Sequence, residues 1–201
     1  MLLAAEREQS ERVLAHERAE TELDAELSVI ADRLVARGLQ QLAARSGADL
    51  IVVGRGHHGL LGRALDSDDA TESLGGAPCS VAIAPAGYAS RPASLVRFGA
   101  GYDGSPASER AITLMRELAA RRPGSTMRAL AAGRRPLLAP DGIELETVRA
   151  DAAPALERFS EELDLLIVGS RTSSALARLF VNRTASHLAR YSRCPLIVTG
   201  C

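Results

Sequence analysis

The feature that most limits how this 201-residue chain can fold is an internal repeat. Asp49-Leu50-Ile51-Val52-Val53-Gly54 returns as Asp164-Leu165-Leu166-Ile167-Val168-Gly169, an offset of 115 residues. The same offset carries Leu61 to Leu176, Arg63 to Arg178 and Cys79 to Cys194, and it aligns the apolar run Val81 to Ala84 with Leu196 to Thr199. Length alone allows one large domain or two of about 100 residues; a shared spacing of this extent predicts two related units. Each copy reads as strand, loop, helix, strand. The runs Ile51-Val52-Val53 and Leu166-Ile167-Val168, closed by Gly, suit strands covered on both faces, the habit of parallel sheets. A Cys/Pro pair, Pro78-Cys79 or Cys194-Pro195, stops the helix before the next strand. The pattern predicts an α/β fold.

Upstream of this shared part the copies differ. The second has room for a strand at about Leu95 to Gly101, the turn Tyr102-Asp103-Gly104-Ser105-Pro106 and a helix to about Ala120. Ser105 suits the N-cap and Pro106 the first helical position. Two more strands are expected near Met127 to Ala131 and Ile143 to Arg149, then a helix from Pro154 to Glu162. In the first copy only about 25 residues, charged and helical in rhythm, precede a strand expected near Glu26 to Ala31. Ala89 to Ala93, with Ser90, Arg91 and Pro92, reads as the linker.

A net charge of −1 gives no basic field for nucleic acid or an anionic membrane. No stretch reaches the length of a membrane-spanning helix and Met1 to Glu8 lacks a signal layout, so the expected location is the cytoplasm. Cys79, Cys194 and Cys201 have neither metal-ligand nor redox spacing. The phenylalanines, Phe98, Phe159 and Phe180, read as core.

Taken together, Gly47 to Gly54, Ala77-Pro78-Cys79-Ser80-Val81-Ala82, Tyr102-Asp103-Gly104-Ser105-Pro106 and Asp164 to Arg171 resemble the universal stress protein family in its tandem form. The resemblance implies two doubly wound parallel-sheet units of the adenine nucleotide alpha hydrolase-like type, with strand order 3-2-1-4-5 and helices on both faces. It implies pairing of the units through their fifth strands, with a domain truncated at its N-terminus in residues 1–88 and a complete one in 94–201. In that strand order the truncated unit would leave two sheet edges unpaired. Either the reading frame starts upstream of Met1, which is the expectation, or fifth-strand pairing holds a reduced domain together. A homo-oligomer and an unidentified protein partner stay open.

In ATP-binding members of the family, an Asp after strand 1 and a loop Gly-x2-Gly-x9-Gly-(Ser/Thr) after strand 4 hold the nucleotide at the carboxyl ends of the strands. Glycines let backbone N–H groups reach phosphates, and the next helix adds favourable partial charge. Carried onto the second unit, the loop becomes Gly169-x2-Thr172-x9-Asn182-Arg183, with one motif glycine left. The candidate site is therefore degenerate: Asp103, Gly104, Ser105, Gly169, Ser170, Arg171, Thr172, Asn182, Arg183 and Thr184. Asp103 matches the family's acid, and equally it suits a turn that caps a helix. The first unit reads Gly54-x2-His57-x9-Ser67-Asp68, or in a shifted register Gly56-x2-Gly59-x9-Asp69, and either way acids fall where terminal phosphates would lie.

The resulting expectation is a non-catalytic stress-response module acting through protein contacts. No cofactor is assigned as certain, and ATP stays possible in the second unit. The alternative is an ATP-binding regulator or slow ATPase, although His187 is the second unit's one histidine and no nucleophile–base pair is evident. A metal site made by His57, His58, Asp66, Asp68 and Asp69 is a weaker reading than a solvated loop, so no metal site is assigned.

Overall fold

The computed structural model describes residues 2–21, 24–30, 32, 35–54, 78–90, 94–170 and 183–200. The chain separates into two compact units, Met1–Leu34 and Val35–Cys201. The first holds α1 (Leu2–Thr21), a charged helix with exposed i,i+4 pairs such as Arg7 with Glu11 at 2.9 Å. Each pair of this kind contributes only about 0.3–0.5 kcal/mol. Residues 24–30 carry no regular structure, so the strand expected from Glu26 is not formed there. A strand needs a ladder partner, and Val29-Ile30 is too short an apolar run to define one on its own.

The second unit begins with α2 (Val35–Ser46), β1 (Leu50–Gly54) and β2 (Ser80–Ala84). Next come β3 (Arg97–Gly101), α3 (Pro106–Ala120), β4 (Thr126–Ala132) and β5 (Glu144–Val148). The chain closes with α4 (Ala152–Phe159) and its 3-10 turn Ser160–Glu162, then β6 (Leu165–Gly169), α5 (Arg183–Tyr191) and β7 (Leu196–Thr199). The seven strands form one sheet in the order β1-β2-β7-β6-β3-β4-β5. All neighbours are parallel except β2 and β7.

Register carries the repeat into three dimensions. Ile51 lies opposite Val81 as Leu166 lies opposite Leu196, each pair related to the other by the offset of 115. In the antiparallel pair, Val81 meets Val198, Ala82 meets Ile197 and Ile83 meets Leu196. Ala82 and Ile197 are themselves repeat equivalents. The ladder is thus centred on a local two-fold relation between the copies, which joins them edge to edge and leaves neither β2 nor β7 exposed.

Helices cover both faces of the sheet. One face packs Ala43 of α2, Leu156 and Phe159 of α4 and Leu188 of α5 on Ile51, Val53, Leu166 and Val168. The opposite face packs Ala111, Ile112 and Met115 of α3 on Phe98, Ala100, Leu165 and Ile167. Being covered twice, β6 is apolar at every position from Leu165 to Val168 and buried along that length. Phe98 and Phe159 are core residues as expected, whereas Phe180 lies outside the described residues.

Asp164 ties β6 to the start of β3. Its Oδ2 accepts from the backbone N–H groups of Val96 (3.0 Å) and Arg97 (2.9 Å), and its Oδ1 accepts from Arg97 Nη2 at 2.7 Å. Burial works to raise the Asp164 carboxyl, but these donors outweigh it and hold the group below the ordinary carboxylate range.

Candidate functional site

Parallel α/β sheets present ligands at the carboxyl ends of their strands, where the connections diverge to opposite faces. Here that place lies between β3 and β6, whose register sets Ala100 beside Ile167; Tyr102-Asp103 follows the end of β3, and Gly169-Ser170 lies at the end of β6. Asp103 is half-buried, and its Oδ1 accepts the backbone N–H of Ser105 at 3.0 Å, forming an Asx turn. Ser105 is the N-cap of α3: its Oγ accepts from the Ser108 N–H at 3.3 Å, Pro106 follows at the first helical position, and Glu109 places an acid in the first turn. Between them Gly104 has φ +72°, a left-handed conformation that favours glycine, and a Cβ there would lie 3.2 Å from Leu137 Cδ2. The loop after β4 therefore leans over this turn. Tyr102 donates its hydroxyl to Glu109 Oε1 at 2.6 Å, and that bond holds the phenol proton and raises its pKa.

On the β6 side, Gly169 is closely covered. A Cβ at Gly169 would sit 2.1 Å from the carbonyl oxygen of Ala107 and 2.8 Å from the Ser108 nitrogen, both backbone atoms of α3. The lack of a side chain lets the first turn of α3 rest directly on the end of β6. Ser170 is buried, and its carbonyl accepts from Arg110 Nη2 at 3.0 Å. Arg110 Nε and the hydroxyl of Thr199, the β7 residue paired with Gly169, are buried without a hydrogen-bond partner among the described residues. Arg183 is exposed and Thr184 partly buried at the start of α5. Arg171, Thr172 and Asn182 lie outside the described residues, as do His57, His58, Asp66, Asp68 and Asp69. Among the described residues no group of three His, Cys, Asp or Glu side chains could hold a metal ion, and no helix is long and apolar enough to cross a membrane.

A second concavity of about 490 Å³ opens at the amino ends of the strands, lined among others by Tyr88, Arg97, Glu161, Asp164 and Cys194. Its arginine is held by Asp164, and burial pushes the Cys194 thiol up to about 11, so that sulfur is no nucleophile at neutral pH.

The sequence model of the universal stress protein family matches residues 1–85 and 138–200. The chain belongs to the universal stress protein family. Solved structures agree at the level of fold. A universal stress protein from Archaeoglobus fulgidus DSM 4304 superposes with a TM-score of 0.67 at 16% identity, covering 96% of this chain and 76% of that one. A functionally unknown protein from Pseudomonas aeruginosa PAO1 gives 0.64 at 15% identity, covering 96% and 78%. No curated protein matches the chain.

For a universal stress protein, the described part of the expected site sorts unevenly. Asp103, Gly104, Ser105, Gly169 and Ser170 converge at the ends of β3 and β6, as the carried-over motif anticipates, and three of them already serve local structure: Asp103 and Ser105 in starting α3, Gly169 in seating it. Arg110 and Thr199 belong to the same region and were not singled out from sequence. Arg110 could have been found as the one cation in the first two turns of a helix whose N-terminus faces the site. Thr199 carries no local signal, because only the β6–β7 register places it beside Gly169. His187 Nε2 meets Glu157 Oε2 at 2.5 Å across α4 and α5, a pairing that no sequence spacing announces.

Proposed function

We propose that this universal stress protein is a non-catalytic, cytoplasmic stress-response module of tandem build, with a degenerate nucleotide site in its second repeat, acting through protein contacts. What supports the reading is the prior engagement of the residues that an ATP site would use. One Asp103 oxygen and the Ser105 hydroxyl bind backbone N–H groups of their own turn and helix, and the Cα face of Gly169 is filled by Ala107. Cradling a triphosphate needs backbone N–H groups left open to the ligand.

The alternative, an ATP-binding regulator or slow ATPase, is favoured by one observation: Arg110 keeps a buried Nε near the strand ends that has no partner among the described residues. A calorimetric titration of the chain with Mg-ATP separates the two. The proposal expects no micromolar binding. Micromolar binding that is lost in Asp103→Ala, with the variant's melting curve retained, would overturn it in favour of the alternative. Gly169 is unsuitable for such a test, since any side chain there collides with α3.

A further inference from the structure

The offset of 115 lets each residue of β1 be compared with a counterpart in β6, and one face fails to correspond. Ile51 and Val53 are buried like Leu166 and Val168. Leu50 and Val52 are 40% and 67% exposed, whereas their counterparts Leu165 and Ile167 are 6% and 0% exposed. In the second repeat that face is covered by Ala111, Ile112 and Met115 of α3, and the open side of β6 is paired with β3. Among the described residues β1 pairs with β2 alone and stands at the end of the sheet. The uncovered surface is therefore an unpaired parallel edge together with the apolar face beside it. Both are what a strand and its following helix satisfy elsewhere in this molecule.

We propose that β1 is the docking site for a partner polypeptide that supplies a parallel strand followed by an amphipathic helix, chemically like residues 95–120 of this chain. The repeat fixes the register. Since Phe98 lies opposite Leu165 and Ala100 opposite Ile167, an equivalent strand sets its aromatic residue against Leu50 and its small residue against Val52. The helix then lays its Ala/Ile/Met face over both. A second copy joined through β1 would satisfy the edge, but it would leave Leu50 and Val52 of each copy in water. The strand–helix unit satisfies edge and face together. The proposal names a surface for the protein contacts inferred above and does not depend on the nucleotide part of that reading.

The test is amide hydrogen exchange on the full chain with a synthetic peptide of residues 95–120 as probe and a scrambled peptide as control. The expected result is at least about tenfold slower exchange in Leu50–Gly54 with the probe, no change with the scrambled peptide, and loss of the effect in Val52→Asp. Val52 is exposed, so that variant keeps its fold, which unchanged exchange in β6 and β7 will verify. Protection of β1 that rises with the concentration of the chain alone would overturn the proposal in favour of self-association. Absence of protection under all conditions would also overturn it. Neither result bears on the ATP titration, whose outcome rests on Asp103.

Discussion

The segments 49–54 and 164–169 are near copies in sequence and share the same parallel register with their following strands, yet their surroundings differ. β6 lies inside the sheet with helices on both faces, while β1 ends the sheet with one face covered. Burial alternates along β1 and is continuous along β6. Local sequence thus sets which residues can form a strand. What packs against that strand decides which of them become core.

The sharpest way to break this comparison is to truncate equivalent residues. Ile167 is fully buried between β3 and α3, and Ile167→Ala should cost about 3–4 kcal/mol through lost transfer energy and the cavity left behind. Val52→Ala, at the equivalent position in water, should change stability by less than about 0.5 kcal/mol. Urea unfolding of both variants reads the contrast as a shift in midpoint at constant slope. Equal losses would mean that Val52 is covered in solution and that the two strands are not differently packed.

The terminal glycines of the two strands should differ next. Gly169→Ala drives a Cβ into the backbone of Ala107, which cannot rotate away, and should destabilise by about 2–3 kcal/mol. Gly54 has nothing among the described residues within 4 Å of the same added atom, so Gly54→Ala should be close to neutral. Thermal melts suffice. A neutral Gly169→Ala would show that α3 can lift from the end of β6, and it would reopen that glycine to a role toward a ligand.

Much of the fold was legible because it is written locally. Periodicity and turn chemistry located β3 to β7 within a residue or two, and Ser105-Pro106 marked the start of α3. The repeat predicts that β1–β2 and β6–β7 share one local pattern, and both pairs are parallel in equivalent register. Three things escaped because they depend on contacts distant in sequence. Gly169 can be picked out as a motif glycine, but its close contact with Ala107 cannot. His187 and Glu157 meet across 30 residues of sequence. The strand expected near Glu26 to Ala31 rests on a few apolar residues, a pattern that equally suits the irregular segment found at residues 24–30. At the candidate site, the motif names Asp103 and Gly169, whereas the engagement of Asp103 and Ser105 with the start of α3 is visible only in three dimensions.

The smallest contrast concerns the aspartates that precede the two strands. Asp164 receives two backbone N–H groups and Arg97, whereas its counterpart Asp49 is exposed ahead of an edge strand. Arg97 is itself 55% exposed, so the ion pair adds little, and the larger loss on removing Asp164 comes from leaving the Val96 and Arg97 N–H groups without their acceptor. Because both N–H groups lie at exposed positions where water can replace part of the bond, Asp164→Ala should cost about 1 kcal/mol near neutral pH, against less than about 0.5 kcal/mol for Asp49→Ala. The pH dependence follows from the lowered carboxyl pKa of Asp164 in the folded chain. The charged form is favoured by folding, so its stabilisation is complete above the unfolded-state value of about 3.9 and is lost as pH falls through the lower folded value. The stability gap between Asp164→Ala and the unaltered chain should therefore narrow below about pH 4. A gap for Asp164→Ala that does not change with acid would mean that the carboxylate charge contributes nothing and that hydrogen-bond geometry alone joins β6 to β3.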